Sequence, residues 1–313
     1  MDSVTKEKSA QVSFSVNICN ADARFLDLTI RHMIKQLDFD FCERVLTYDP
    51  GQQEGKYSTR HQGTREQIEE ITRNLLQDGV IDRVDVIPWE ENEQIKILDR
   101  YFNSKEVEDL KDFSGAPIYQ YLYALDQCRG HYIFHADSDM LFHRGDRRSW
   151  IEIGLNLLRE KPDAVVCTPQ GGPPQASNWL ERVFGLPLLR KEPIDGWHIA
   201  SFTSTRYFLM DVGRFHNSLP LEQAKPREPL ENSLTHTFNK KGLRRYSMNG
   251  YKHYAVHPWK HDDNHAIYLK DLIWAVENDV YPFTRSGFQW DMRTDGDLIH
   301  EWLRALRKAG RPV

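Results

Sequence analysis

The stretch HYIFHADSDMLF, His131 to Phe142, runs an apolar segment into two aspartates one residue apart. Acidic side chains that close repel each other, and burial sharpens the repulsion. Asp137 and Asp139 therefore require something positive between them, or a wet site. Just upstream, a helical pattern from about Pro117 to Cys128 stops at Gly130, so HYIFHA reads as a strand entered from a helix–glycine turn.

The same order recurs toward the N-terminus. QVSFSVNIC (11–19) is nearly continuous and β-rich, as a strand buried on both faces would be. Leu26, Ile30, Met33, Ile34 and Leu37 then recur at helical spacing. FCERVLTYD (41–49) is a second strand ending in the Asp49-Pro50-Gly51 turn, and 52–63 is a polar loop. Thr64 with Gln67 forms a capping box for a helix striped by Ile68, Ile71 and Leu75. RVDVIPW (83–89) is a third strand, and 91–113 reads as helix. Strand–helix alternation of this kind predicts a parallel sheet wrapped by helices. Ligands of such sheets sit at the C-terminal strand ends, where Asp49, Asp137 and Asp139 fall.

Downstream, Ser149 and Glu152 predict a second capping box, and DAVVCTP (163–169) a further strand. A Gly/Pro-rich, aromatic stretch reaches Trp197, after which regular structure resumes. PLENSLTHTFNKKG (229–242) reads as a helix, KHYAVH (252–257) as a strand, and helices around 266–277 and 298–308 close the chain. There is no internal repeat.

Composition narrows the classes. The 313 residues carry 40% hydrophobic and 28% charged side chains, ordinary for a globular protein. A net charge of −5 argues against a general nucleic-acid binder. No apolar run reaches the roughly 18 residues of a membrane span. The polar start MDSVTKEKSA lacks a signal-peptide core, and Cys19, Cys42, Cys128 and Cys167 are too scattered for a CxxC site. Reduced thiols in a cytoplasmic protein are the expectation.

A bare DxD is most often a solvated turn. Here it follows a buried strand, and carboxylate oxygens are hard ligands suited to Mg²⁺ or Mn²⁺. Such an ion can hold a diphosphate as charge develops on it.

At this point the sequence resembles the family-2-like glycosyltransferases of the GT-A fold. VSFSVNICN (12–20) is similar to their first strand and LTYDPG (46–51) to their second-strand Asp turn. CRGHYIFHADSDMLF (128–142) resembles their helix–Gly–strand–DxD segment, PLENSLTHTFNKKG the helix that supplies their base, and YAVH (254–257) a late metal-binding strand. The resemblance implies an α/β, GT-A-type (Rossmann-like), mostly parallel sheet flanked by helices, with an acceptor-side region and C-terminal helices. It implies a flexible 1–11, a nucleotide-sugar-binding half at 12–145, an acceptor-binding and catalytic half at 146–262, and a helical extension at 263–313.

The implied activity is a Mn²⁺- or Mg²⁺-dependent transfer of a sugar from a nucleotide-sugar, UDP-linked by default, to an acceptor hydroxyl, with inversion. Asn17, Cys19 and Asp49 would border the nucleobase and its sugar, and Asp137 and Ser138 would meet the donor. Asp137, Asp139 and His257 would hold the metal, and Lys260 would meet the diphosphate. Aligning Leu234, Phe238 and Gly242 with the family's apolar positions and closing glycine places Glu231 as general base. A Glu in a helix's first turn is also what the macrodipole favours.

Other residues invite weaker readings. His253, His257, His261 and His265 are spaced for one helix face, but Pro258 and the strand-like 251–256 argue against a four-His zinc site. Asp195 and Trp197 are acceptor-binding candidates, and Trp179 is either a sugar platform or packing. Lys56 and Arg60 lie in a loop that either approaches phosphate or is simply solvated, and His131 and His135 belong to the core strand. The rival classes are a sugar-phosphate nucleotidyltransferase, which wants a glycine-rich loop where NADARFLD (20–27) stands, an Asp-nucleophile phosphatase, and an inactive sugar-binding scaffold on the same fold.

Overall fold

The computed structural model describes residues 11–51, 53–104, 110–173, 196–249, 252–282 and 291–313. Asp195 and Trp179 lie outside the described residues, as does the Lys56 side chain.

In chain order the described elements are β1 (Val12–Cys19), α1 (Leu26–Leu37), β2 (Glu43–Asp49), α2 (Arg65–Gln77), β3 (Arg83–Val86), α3 (Glu91–Phe102), α4 (Tyr119–Gln127), β4 (Tyr132–Asp137), β5 (Leu141–Arg144), α5 (Trp150–Glu160) and β6 (Ala164–Thr168). They continue with β7 (Gln170–Gly171), β8 (Gly196–Ala200), β9 (Tyr207–Asp211), α6 (Val212–Ser218), α7 (Leu230–Lys240), β10 (Arg244–Asn249), β11 (His253–Pro258), α8 (Asp263–Glu277), β12 (Asp291–Met292) and α9 (Leu298–Lys308).

β1 is buried along its length and sits between β2 and β4, parallel to both. Its alternation explains the layering. Val12, Phe14, Val16 and Ile18 join a core cluster with α1, α2 and α5. Ser13 and Ser15 occupy the other face and are small enough for α4 to approach, and Gln120 of α4 donates to the Ile18 and Thr47 carbonyls. On that face α3, α4, α6 and α7 build a second cluster. The full strand order is β3-β2-β1-β4-β9-β6-β10-β8, with β9 antiparallel to both neighbours and β8 antiparallel to β10. The α/β sheet flanked by helices that the sequence predicts is the architecture the chain adopts.

A second sheet, β12-β11-β5 with β7 beside β11, packs under α8 and α9 around Tyr254, Leu272 and Trp302. His32 of α1 locks it to the first. Its Nε2 accepts from the Phe142 N–H at 2.9 Å, so its Nδ1 carries the hydrogen and donates to Glu277 Oε1 of α8 at 2.9 Å. Met140 is fully buried in the main cluster, so the turn after Asp137 is anchored on both sides.

Several boundaries differ from the sequence reading. The helix predicted over 91–113 ends at Phe102, because Asn103 turns left-handed at φ 55°. β2 begins at Glu43, since the Phe41 N–H bonds back to the Phe39 carbonyl in a turn. The Thr64–Gln67 capping box forms as predicted. The second box does not: Ser149 accepts from the Ile151 N–H, its own hydrogen goes to the Leu37 carbonyl, and Glu152 takes no part. β5 and β10 had no clear signal, being short and rich in polar or charged residues. Among the described residues no helix is long and apolar enough to cross a membrane.

Candidate functional site

The C-terminal ends of β1, β2 and β4 open into a cleft of about 990 Å³. Asn17, Cys19, Asp49, Asp137, Ser138, Asp139, Glu231, His257 and Lys260 all line it. Strand register explains part of this convergence: Asn17 stands opposite Asp137 across β1 and β4, and Cys19 opposite Asp49 across β1 and β2.

The acidic pair has the positive company that its spacing demands. His261 Nε2 lies 2.9 Å and His257 Nε2 3.4 Å from Asp139 Oδ2. The His261 contact is close but not an aligned hydrogen bond, since its Nε2 is buried without a hydrogen-bond partner, and the other carboxylate oxygen, Asp139 Oδ1, is unpaired as well. Burial opposes the Asp139 charge, yet His257 and then His261 hold its carboxyl well below the usual range. Burial likewise opposes the His257 charge, but Asp139 and Asp291 raise that ring to about 9. Asp137 moves the other way: burial, then the Asp139 charge, push it up, while the Tyr121 hydroxyl donates to its Oδ1. The pair thus divides into one ionised and one readily protonated carboxyl.

Each ligand-like group is oriented from behind. Asp291 Oδ1 lies 3.3 Å from His257 Nδ1, which turns Nε2 toward Asp139. The His261 ring stacks on Phe25 at 4.7 Å. Asp22 caps the turn after β1 by accepting from the Cys19 N–H at 2.7 Å, and burial followed by the nearby Asp139 raises its carboxyl to about 6. Burial also lifts the Cys19 thiol well above its ordinary value, which disfavours its thiolate.

On the β1–β2 side of the cleft Asn17 is 8% exposed, and both atoms of its amide lack partners. Buried amides are normally satisfied, so an unpaired donor and acceptor beside a cleft fit a ligand. Asp49 Oδ1 accepts from the Gly51 N–H at 2.7 Å, closing the turn. A Cβ on Gly51 would meet Asp49 Oδ1 and Trp89 at 2.8 Å, which is why this turn needs glycine. Lys260 is exposed at the rim, and so are Phe202 and Trp259.

Across the cleft Glu231 sits in the first turn of α7, half-buried, with its Oε1 accepting from the Thr205 hydroxyl at 2.8 Å. Trp197 lies elsewhere. It pairs with Met248 in the β8–β10 ladder, packs half-buried against the main cluster, and is not part of the cleft lining. His135 is a core residue, stacked on Phe208 at 5.2 Å and pushed down to about 3 by burial. His131 is exposed just before β4, and Arg60 lines the cleft. The four spaced histidines separate: His253 pairs with Arg144 at the far end of β11, while His265 begins α8 with its ring 5.5 Å from that of His261.

Asp22, His261, Asp291 and Thr205 joined the site only on folding. His261 carried a signal, its spacing from His257, but that spacing pointed to a helix face and not to a strand end followed by a loop.

Among the described residues no three His, Cys, Asp or Glu side chains stand ready-arranged to hold an ion. The donor set nonetheless fits a divalent cation: one ionised carboxylate with a spare buried oxygen, two imidazoles beside it, and Asp22 and Asp137 adjoining.

No family model matches the chain, and no curated protein does. Solved structures similar to it include S. aureus TarS, at 12% identity and TM-score 0.43, covering 84% of this chain and 39% of that one. S. aureus TarS 1-349 is similar at 13% identity and TM-score 0.41, covering 95% and 72%. GalNAc-T7 with UDP, GalNAc and Mn²⁺ is similar at 11% identity and TM-score 0.48, covering 96% and 48%. The chain therefore spans under two thirds of the length of TarS and of GalNAc-T7.

Proposed function

We propose that this cleft transfers a glycosyl group from a nucleotide-sugar to an acceptor hydroxyl. One observation carries the reading: a single cleft holds the Asp137–Asp139 pair with His257 and His261 on one wall and Glu231 on another. Residues 12–145 then form the donor half and 146–262 the acceptor and catalytic half, with 263–313 as a helical extension, in a cytoplasmic enzyme.

The unpaired Asn17 amide and the Asp49 turn would border the base and ribose, with a UDP-sugar the default donor. Asp139, His257 and His261 would hold Mn²⁺ or Mg²⁺, with Asp137 and Asp22 beside them. Such an ion, when bound, offsets the negative charge of a departing diphosphate. Lys260 at the rim would meet a diphosphate oxygen. Glu231 acts as general base, its Oε2, which nothing bonds among the described residues, taking the proton of an acceptor hydroxyl. That oxygen forms a bond to the anomeric carbon as the bond from carbon to diphosphate oxygen breaks, which inverts the centre.

The test is a thermal-shift series of nucleoside diphosphates with and without Mn²⁺, followed by turnover of the matching nucleotide-sugar. Stabilisation that needs nucleotide and cation together is the expected result. Nucleotide binding indifferent to cation, with no turnover of any donor, would leave the scaffold reading in its place.

A further inference from the structure

We propose that Thr205 is the positioning residue for Glu231, an inference that rests on Glu231 acting as the base. Glu231 has three rotatable side-chain bonds and sits half-buried at a helix start, so nothing in α7 itself fixes its carboxylate. Thr205 does. Its hydroxyl is buried, has one hydrogen to give, and gives it to Glu231 Oε1 at 2.8 Å. Among the described residues nothing bonds the other oxygen, which leaves Oε2 for an acceptor.

The short loop that carries Thr205 is pinned on both sides of it. The Thr203 N–H donates to Thr235 Oγ1 on α7 at 2.8 Å, and the Arg206 carbonyl accepts from the Asp137 N–H at the end of β4 at 2.7 Å. One anchor lies on the helix of the base and the other on the strand of the acidic pair. The Asp137 end is held in turn by Tyr121, whose hydroxyl donates to Asp137 and whose ring packs 5.0 Å from His135. The Thr205 loop is therefore fixed between the strand that carries Asp137 and the helix that carries Glu231. A carboxylate displaced by about 1 Å can cost on the order of 100-fold in rate.

The experiment compares Thr205→Val, which keeps the shape and loses the hydroxyl, with Thr205→Ser, which keeps the hydroxyl. Thr205→Val should lower kcat about 10- to 100-fold with donor KM little changed, while Thr205→Ser stays within a few-fold of the parent. Adding Thr205→Val to Glu231→Gln should cost nothing further, because the two act as one unit. A crystal structure of Thr205→Val should show the Glu231 carboxylate turned from its place, which needs no activity to observe. Val and Ser variants equally impaired, or a Val variant with full kcat or an unmoved carboxylate, would overturn the assignment. Glu231→Gln running at the parent rate would instead overturn the base itself, and this inference with it.

Discussion

His261 Nε2 lies 2.9 Å from Asp139 Oδ2, bringing a loop before α8 onto the acidic turn after β4. His257, whose Nε2 lies 3.4 Å from the same oxygen, and then His261 make Asp139 the charged member of the pair. Asp139→Asn should abolish cation-dependent stabilisation by Mn²⁺ and lower turnover roughly a thousandfold or more. His261→Ala should raise the Mn²⁺ concentration needed for half-maximal stabilisation at least about tenfold. Melting curves across a Mn²⁺ titration decide both. An unchanged midpoint in His261→Ala would remove that residue from the proposed ligand set.

Glu231→Gln is expected to reduce turnover by about 10²- to 10⁴-fold while leaving nucleotide binding intact. Parallel measurement of kcat and of nucleoside diphosphate affinity separates the two effects. Loss of affinity with little change in kcat would place Glu231 in donor binding.

The His32–Glu277 contact predicts acid lability. Burial raises the Glu277 carboxyl, but the His32 and Lys35 contacts outweigh it and bring it from 4.5 to about 2. A depressed carboxyl contributes stability that is present above its unfolded value and lost as pH falls through the folded one. Burial also keeps His32 neutral, so protonating it in acid works in the same direction. The Glu277 share of stability should therefore be lost between about pH 4.5 and 2, with the His32 share beginning to go below about 6.5, and Glu277→Gln should flatten the lower part of the curve. Lys35 is largely exposed, so high salt should weaken its share and spare that of His32. Denaturation at a series of pH values tests this.

Gly130 enters β4 where a side chain has no room. A Cβ there would sit 2.6 Å from the Ser13 nitrogen and 2.7 Å from the Tyr132 carbonyl oxygen, both backbone atoms. The Ser13 hydroxyl also accepts from the Gly130 N–H at 2.8 Å. Gly130→Ala should destabilise the fold by about 1–3 kcal/mol, read from urea midpoints at unchanged slope.

The sequence by itself determined what depends on neighbours along the chain. The apolar run of β1, the helical stripe from Leu26 to Leu37 and the Thr64–Gln67 cap are local signals, and each appears in place. Strand ends in a parallel sheet share one edge, so the strand pattern alone brings Asn17, Asp49, Asp137 and Asp139 together. Tertiary structure alone decided the rest. The chain reverses after β4 into β5, and β11 lies against it, which carries His257 and His261 to Asp139 and sends His253 to the opposite end. Asp22, Asp291 and Thr205 became part of the site in the same way, through contacts between segments far apart in the chain. No periodicity encodes such contacts, because they depend on which buried faces the assembled sheets leave for each loop to cross.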